Sequence, residues 1–77
     1  MDLTKNGELL RSLRRAKGLT QKEVAKKLGV VAKTVSKWET GRSLPDSSIM
    51  LELCEILEIT VNDLLCGEVV VMEKYNK

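Results

Sequence analysis

The chain lacks histidine altogether, and it lacks phenylalanine; it has one proline, one tryptophan and one tyrosine among 77 residues. Histidine is the usual side chain for proton transfer near neutral pH and a common zinc ligand, so its absence removes most acid–base catalysis and most zinc sites. The sequence also contains no Gly-rich phosphate loop and no base that would complete a serine triad. We therefore expect no catalytic residues, no cofactor and no metal.

Cysteine and long apolar runs are scarce as well. The two cysteines, Cys54 and Cys66, lie too far apart for a C-x-x-C motif, and we interpret them as free buried thiols of a cytoplasmic protein. No stretch approaches the ~20 apolar residues that a membrane span needs. The N-terminus lacks the basic and then apolar pattern of a signal peptide. We therefore expect a cytoplasmic protein that does not use a membrane.

The charge is distributed unevenly, although the whole chain carries only +2. Residues 1–42 contain eleven Lys and Arg against four Asp and Glu, whereas residues 43–77 contain two against seven. A basic half supplies the electrostatic footprint for phosphates, and an acidic half on the opposite side would orient the domain on its partner. The distribution therefore favours a polyanionic partner.

Apolar periodicity, glycines and capping residues predict an all-α, compact five-helix domain in residues 1–67, followed by a tail at 68–77. The expected helices lie at about residues 4–17, 21–28, 31–40, 47–57 and 61–65. Thr20 opens a T-x-x-E capping box at the second helix, whereas Gly7 is expected to weaken the first turn of the first. The tail has three consecutive valines, which favour an extended conformation; a helix or the start of a further region is the alternative.

Residues 21–40, QKEVAKKLGVVAKTVSKWET, predict two short helices joined by a tight turn. Ala25 is small where the two helices approach, and Gly29 tolerates the positive φ that the turn needs. Val35 and Trp38 form the inward face of the second helix. The residues left facing outward are Lys33, Thr34, Ser36 and Lys37. Because none of these is acidic and all can donate hydrogen bonds, the helix suits the major groove of duplex DNA.

The run from Arg14 to Pro45 resembles the DNA-binding domain of the Cro/phage-repressor (Xre) family, and the similarity extends from about Leu9 to Cys66. The matching features are KGLTQ, the Ala–Gly–Val turn spacing, VSKWE and G-R-x-x-P. The resemblance implies a sequence-specific, double-stranded DNA-binding transcriptional regulator, a repressor, that reads the major groove with the helix at about 31–40. Since one such domain has little contact area, we expect a homodimer on a palindromic operator with half-sites roughly 10 bp apart.

The outward face and the resemblance together assign roles to single residues. The base-reading candidates are Lys33, Thr34, Lys37, Ala32 and Ser36. The phosphate-contacting candidates are Gln21, Thr40, Arg42, Lys22 and Lys17, of which the last two are the weaker. Gln21 begins the second helix, where the family's glutamine reaches a phosphate with help from the helix dipole. Ala32 and Val31 depart from the family, which often has a long polar base reader and a capping Ser or Thr there.

Two further expectations concern the framework and the class of function. In the resembled family, the pair at Arg14 and Glu39 forms a partly buried salt bridge between the first helix and the end of the third; independent surface charges are the alternative. A protein-interaction module or antitoxin would use the same fold. Lys33 and Lys37 favour DNA binding, whereas an apolar patch on the last two helices or in residues 69–71 would favour the interaction module.

Overall fold

The structure is a computed structural model, and it describes residues 3–66. The helices are α1 (Leu3–Ala16), α2 (Gln21–Leu28), α3 (Ala32–Glu39), α4 (Ser47–Leu57) and α5 (Val61–Cys66). Every regular element within residues 3–66 is helical, which confirms the prediction of a five-helix, all-α fold. The expected domain boundary at residue 67 and the tail at 68–77 lie outside the described residues.

Three helix starts are fixed by local capping, as their sequences indicate. At α2, Thr20 Oγ1 accepts a hydrogen bond from the Glu23 N–H at 3.0 Å, and Glu23 Oε1 accepts one from the Thr20 N–H at 2.9 Å. This reciprocal pair is a complete capping box. Asp46 Oδ1 accepts from the third backbone N–H of α4 at 3.0 Å. Thr60 and Asp63 form the equivalent reciprocal pair at α5.

The close approach of α1 to the end of α3 depends on Gly7. A Cβ atom at Gly7 would lie 2.5 Å from the Glu39 carbonyl oxygen and 2.6 Å from that of Trp38. Those oxygens belong to backbone and cannot move aside, so only glycine fits at this crossing. The residue expected only to weaken the first turn of α1 is therefore what allows α1 to pack on α3, and α1 begins at Leu3, slightly before the expected start.

The core lies between the inner faces of all five helices. Its members are Leu10, Val24, Ala25, Leu28, Val35, Trp38, Met50, Leu53, Cys54, Leu57 and Leu64. Because α3 packs on both α1 and α2, its inner side is buried, and within residues 3–66 its outer side stays open to solvent. Cys54 is a free buried thiol, as expected. Burial and, second, the nearby Asp63 carboxylate raise the pKa of Cys54, which keeps it protonated and unreactive.

Candidate nucleic-acid interface

The turn between α2 and α3 is closed by backbone hydrogen bonds. Gly29 adopts the left-handed conformation (φ 71°, ψ 28°) and ends α2. The Val30 N–H then donates to the Ala25 carbonyl at 3.0 Å, which completes a Schellman-type helix end. Val31 is extended (φ −95°, ψ 155°), and α3 begins at the next residue. Two short helices that pack on each other across a glycine-containing turn form a helix-turn-helix arrangement.

The outer face of α3 is basic, and residues 3–66 leave it uncovered. Lys33 and Lys37 lie one helical turn apart, both are exposed, and neither ammonium group is paired within residues 3–66. The other base-reading candidates, Ala32, Thr34 and Ser36, are half-buried beside them. Glu39 is the only acidic residue of α3, and it is buried. The open side of the helix therefore presents positive charge and hydrogen-bond donors without a competing carboxylate.

The candidates for phosphate contacts have different environments. Arg42 and Lys22 are exposed. The Thr40 hydroxyl donates to the Ser36 carbonyl at 2.9 Å, so its proton closes the end of α3. Lys17 forms an ion pair with Glu58, the residue that ends α4. A lysine that is already paired with a carboxylate gains less from a phosphate, so Lys17 is the weakest of these candidates.

Arg14 and Glu39 form a two-pronged ion pair between α1 and α3. Arg14 Nε donates to Glu39 Oε2 at 2.6 Å, and Arg14 Nη2 donates to Glu39 Oε1 at 3.0 Å. The third guanidinium nitrogen, Nη1, donates to the Leu19 carbonyl at 2.8 Å, which also fixes the loop after α1. The two side chains are only 11% and 3% exposed. The hydrogen bond to Glu39 raises the pKa of Arg14, so the guanidinium stays charged at any ordinary pH.

Gln21 is bound to the same carboxylate, which sequence reasoning missed. Its Nε2 donates to Glu39 Oε1 at 3.0 Å, and the side chain is half-buried. An amide nitrogen carries two hydrogens, so one donor remains for another partner. The first residue of α2 is therefore held by the last residue of α3. No local signal predicts this contact, because the two residues meet only when α2 packs on α3.

The fold and this open basic helix define the class of helix-turn-helix domains. A helix-turn-helix family model matches residues 10–64. The chain belongs to the helix-turn-helix family, of the Cro/phage-repressor (Xre) type. Members of this family are regulators of transcription and not enzymes.

Three relatives illustrate the similarity. The HTH-type transcriptional activator BcrR of Enterococcus faecalis is 36% identical over 61 residues, which cover 79% of this chain and 30% of that protein. The ImmF control region 10 kDa protein of Bacillus phage phi105 is 32% identical over 74 residues, which cover 96% and 82% of the two chains. The crystal structure of the restriction-modification controller protein C.AhdI from Aeromonas hydrophila superposes with a TM-score of 0.74 at 36% identity, covering 82% of this chain and 96% of that chain. The chain thus spans less than a third of the length of BcrR and most of the two smaller proteins.

Two structural absences apply to the described part of the chain. No helix within residues 3–66 has the length and apolar character needed to cross a membrane. The same residues contain no group of three or more His, Cys, Asp or Glu side chains that would hold a metal ion.

Proposed function

We propose that this chain is the DNA-binding unit of a transcriptional regulator that inserts α3 into the major groove of duplex DNA. DNA-binding regulation of transcription is the function of the family to which it belongs. The observation that carries the proposal is the outer face of α3. Lys33 and Lys37 are exposed and have no ion-pair partner among residues 3–66, while the helix's only carboxylate is buried against Arg14. A groove lined by base acceptors and bordered by phosphates favours such a face.

Base reading falls to the first two turns of α3. Lys33 and Lys37 are long enough to donate to guanine O6 and N7. Thr34 offers a hydroxyl and a methyl group, and Ser36 a hydroxyl, although both are half-buried and reach less far. Ala32 has no polar group, so it offers only a small apolar contact in place of direct readout.

Phosphate contacts position α3 on the duplex. Gln21, at the start of α2, keeps one amide hydrogen free and benefits from the helix dipole. Arg42 and Lys22 supply exposed positive charge. Thr40 contributes only if its hydroxyl releases the Ser36 carbonyl and donates to a phosphate oxygen instead. Lys17 contributes only if its pair with Glu58 opens. These groups carry no sequence information themselves, and they fix the register in which the lysines meet the bases.

Binding as a homodimer to a palindromic operator follows from size. One domain of this class buries about 600–1,000 Å² on DNA, at the low end of specific interfaces, so two copies on two half-sites are needed for high affinity. A protein seated on operator DNA excludes other proteins from it, and repression is the regulation we propose.

The alternative, a protein-interaction module or antitoxin, requires an apolar patch. Val31 and Leu51 are the large hydrophobic residues exposed among the described side chains, and Leu51 is the one on α4. A single leucine does not make a docking patch. Residues 69–71, the other candidate segment, lie outside the described residues.

Selection of bound sequences from random duplex DNA tests the proposal. We expect a palindrome to be enriched, and its affinity to fall steeply with salt, because four to six phosphate contacts per monomer predict a log–log slope of roughly −4 to −5 per monomer. Lys33→Ala should weaken the enrichment, whereas the matched control Lys27→Ala, on α2, should keep it. A salt slope near zero, or no enriched sequence, would exclude DNA binding.

A further inference from the structure

Val31 is exposed at a position where a polar capping residue would stabilise the fold more. It is 65% exposed and stands at the N-cap of α3, where it makes no side-chain capping hydrogen bond. A Ser, Thr, Asp or Asn at this position would satisfy a backbone N–H of the first turn. Valine gives up that stabilisation and exposes an apolar surface to water. Neither capping nor packing therefore accounts for this side chain.

The position of Val31 places it at the end of α3 that approaches the bases. In helix-turn-helix complexes, the N-terminal residues of the second helix contact base edges. Val31 is two residues before Lys33, and its carbonyl accepts the Thr34 N–H at 3.0 Å, which fixes its backbone to the helix. The β-branched side chain has few rotamers, so little conformational entropy is lost when it is buried.

The chemistry of the groove selects one partner for such a side chain. Major-groove edges present acceptors, donors and a single kind of apolar group, the C5-methyl group of thymine. A valine that faces an acceptor or donor would desolvate it without replacing its hydrogen bond to water, which is unfavourable. Against a thymine methyl group, both surfaces leave water with no polar group left unpaired.

From these observations we propose that Val31 reads a thymine C5-methyl group at one position of each half-site, an inference that rests on the proposed DNA-binding function. The specificity of α3 then has two parts. Lys33 and Lys37 recognise guanine through its acceptors, and Val31 recognises thymine through its methyl group. The residue that departs from the family's capping pattern is thus a specificity-determining residue of this chain.

Single thymine-to-deoxyuridine replacements test the inference, because they remove only the C5-methyl group. Each thymine of the selected palindrome would be replaced in turn, and the dissociation constant measured at fixed salt. At one symmetric position the wild type should bind deoxyuridine about fourfold more weakly, the factor expected for one buried methyl group. Val31→Ala and Val31→Ser should bind the thymine duplex and its deoxyuridine counterpart equally. Val31→Ser should also melt no lower than wild type, because serine restores the helix cap.

Leu51→Ala is the matched control, since Leu51 is the other exposed large hydrophobic residue of the described chain, at 57%. It should keep the full preference for thymine. The inference is overturned if the wild type binds every deoxyuridine duplex as tightly as its thymine parent, or if Val31→Ala retains the preference. In both cases the proposed DNA-binding function stands, because binding to the palindrome is measured in the same series. If no duplex is bound, that function fails and the inference fails with it.

Discussion

Gln21 and Glu39 are joined by a hydrogen bond of 3.0 Å from Nε2 to Oε1, although they stand at opposite ends of the helix-turn-helix. The same Glu39 oxygen accepts Arg14 Nη2, also at 3.0 Å. One buried carboxylate therefore connects the C-terminal part of α1, the start of α2 and the end of α3. We infer that it fixes the orientation of the two helices as well as the side chain expected to meet phosphate.

Removal of Arg14 should destabilise the domain strongly. Glu39, whose side chain is 3% exposed, loses two charge-assisted hydrogen bonds in Arg14→Ala, and Gln21 is then the remaining partner among those seen in residues 3–66. Breaking such a pair by deleting one member costs about 3 kcal/mol. Trp38 is buried next to Glu39 and reports unfolding by its fluorescence. The exposed control Lys27→Ala should stay within about 0.5 kcal/mol of wild type, and equal melting of the two variants would show that the pair is not structural.

The C-terminal end of α4 should tolerate glycine better than alanine. Glu58 has φ 59°, the one positive φ of a non-glycine residue in the described chain, and it forms an exposed pair with Lys17. Both Glu58→Gly and Glu58→Ala lose the pair, but only glycine relieves the left-handed conformation. We expect Glu58→Gly to melt about 5 °C above Glu58→Ala. Identical melting curves would mean that the backbone at residue 58 carries no strain.

Acid should weaken the start of α4 through Asp46. The Ile49 N–H and, second, the Ser48 hydroxyl donate to this carboxylate and lower the pKa of Asp46. Because the folded pKa lies below the unfolded value of about 3.9, the contribution is complete above that value and is lost as the pH falls through the folded pKa. Asn caps helices equally well but does not titrate. Between pH 6 and pH 2.5, Asp46→Asn should therefore lose less in melting temperature than wild type does.

The features that sequence could predict depend on residues close together in the chain. The Thr20 capping box, the Asp46 cap and the Gly29 turn involve partners within five positions, so their patterns are visible before folding. The exposure of Lys33 and Lys37 follows from helical periodicity in the same way.

The features that sequence missed require the packed tertiary structure. Gly7 meets the α3 carbonyls only because α1 crosses α3, and Lys17 meets Glu58 only because the ends of α1 and α4 come together. The contact between Gln21 and Glu39 has the same origin. Neither periodicity nor spacing contains that information, which is why the sequence indicates a phosphate contact for Gln21 but no structural partner.

A comparison of Lys33→Ala with Gln21→Ala should distinguish base recognition from phosphate contact. Lys33 is exposed on the helix proposed to enter the groove, so its loss should cost about 1–3 kcal/mol on the selected palindrome and much less on scrambled duplex. Gln21→Ala should weaken both duplexes by a similar factor, because phosphates are present in every sequence. The two variants should also differ in stability. Lys33→Ala should melt as wild type, whereas Gln21→Ala removes one hydrogen bond from buried Glu39 and should cost about 1 kcal/mol.

Lys22→Ala is the control for this comparison, because it changes the next residue of α2, which is exposed. It should leave the melting temperature unchanged and weaken both duplexes slightly, as the loss of one peripheral charge predicts. If Lys33→Ala weakens palindrome and scrambled DNA equally, Lys33 contacts phosphate and the outer face of α3 does not read bases through it. If Gln21→Ala is selective for the palindrome, the carboxylate of Glu39 positions a base-reading side chain, and the proposed roles of the two helices must be exchanged.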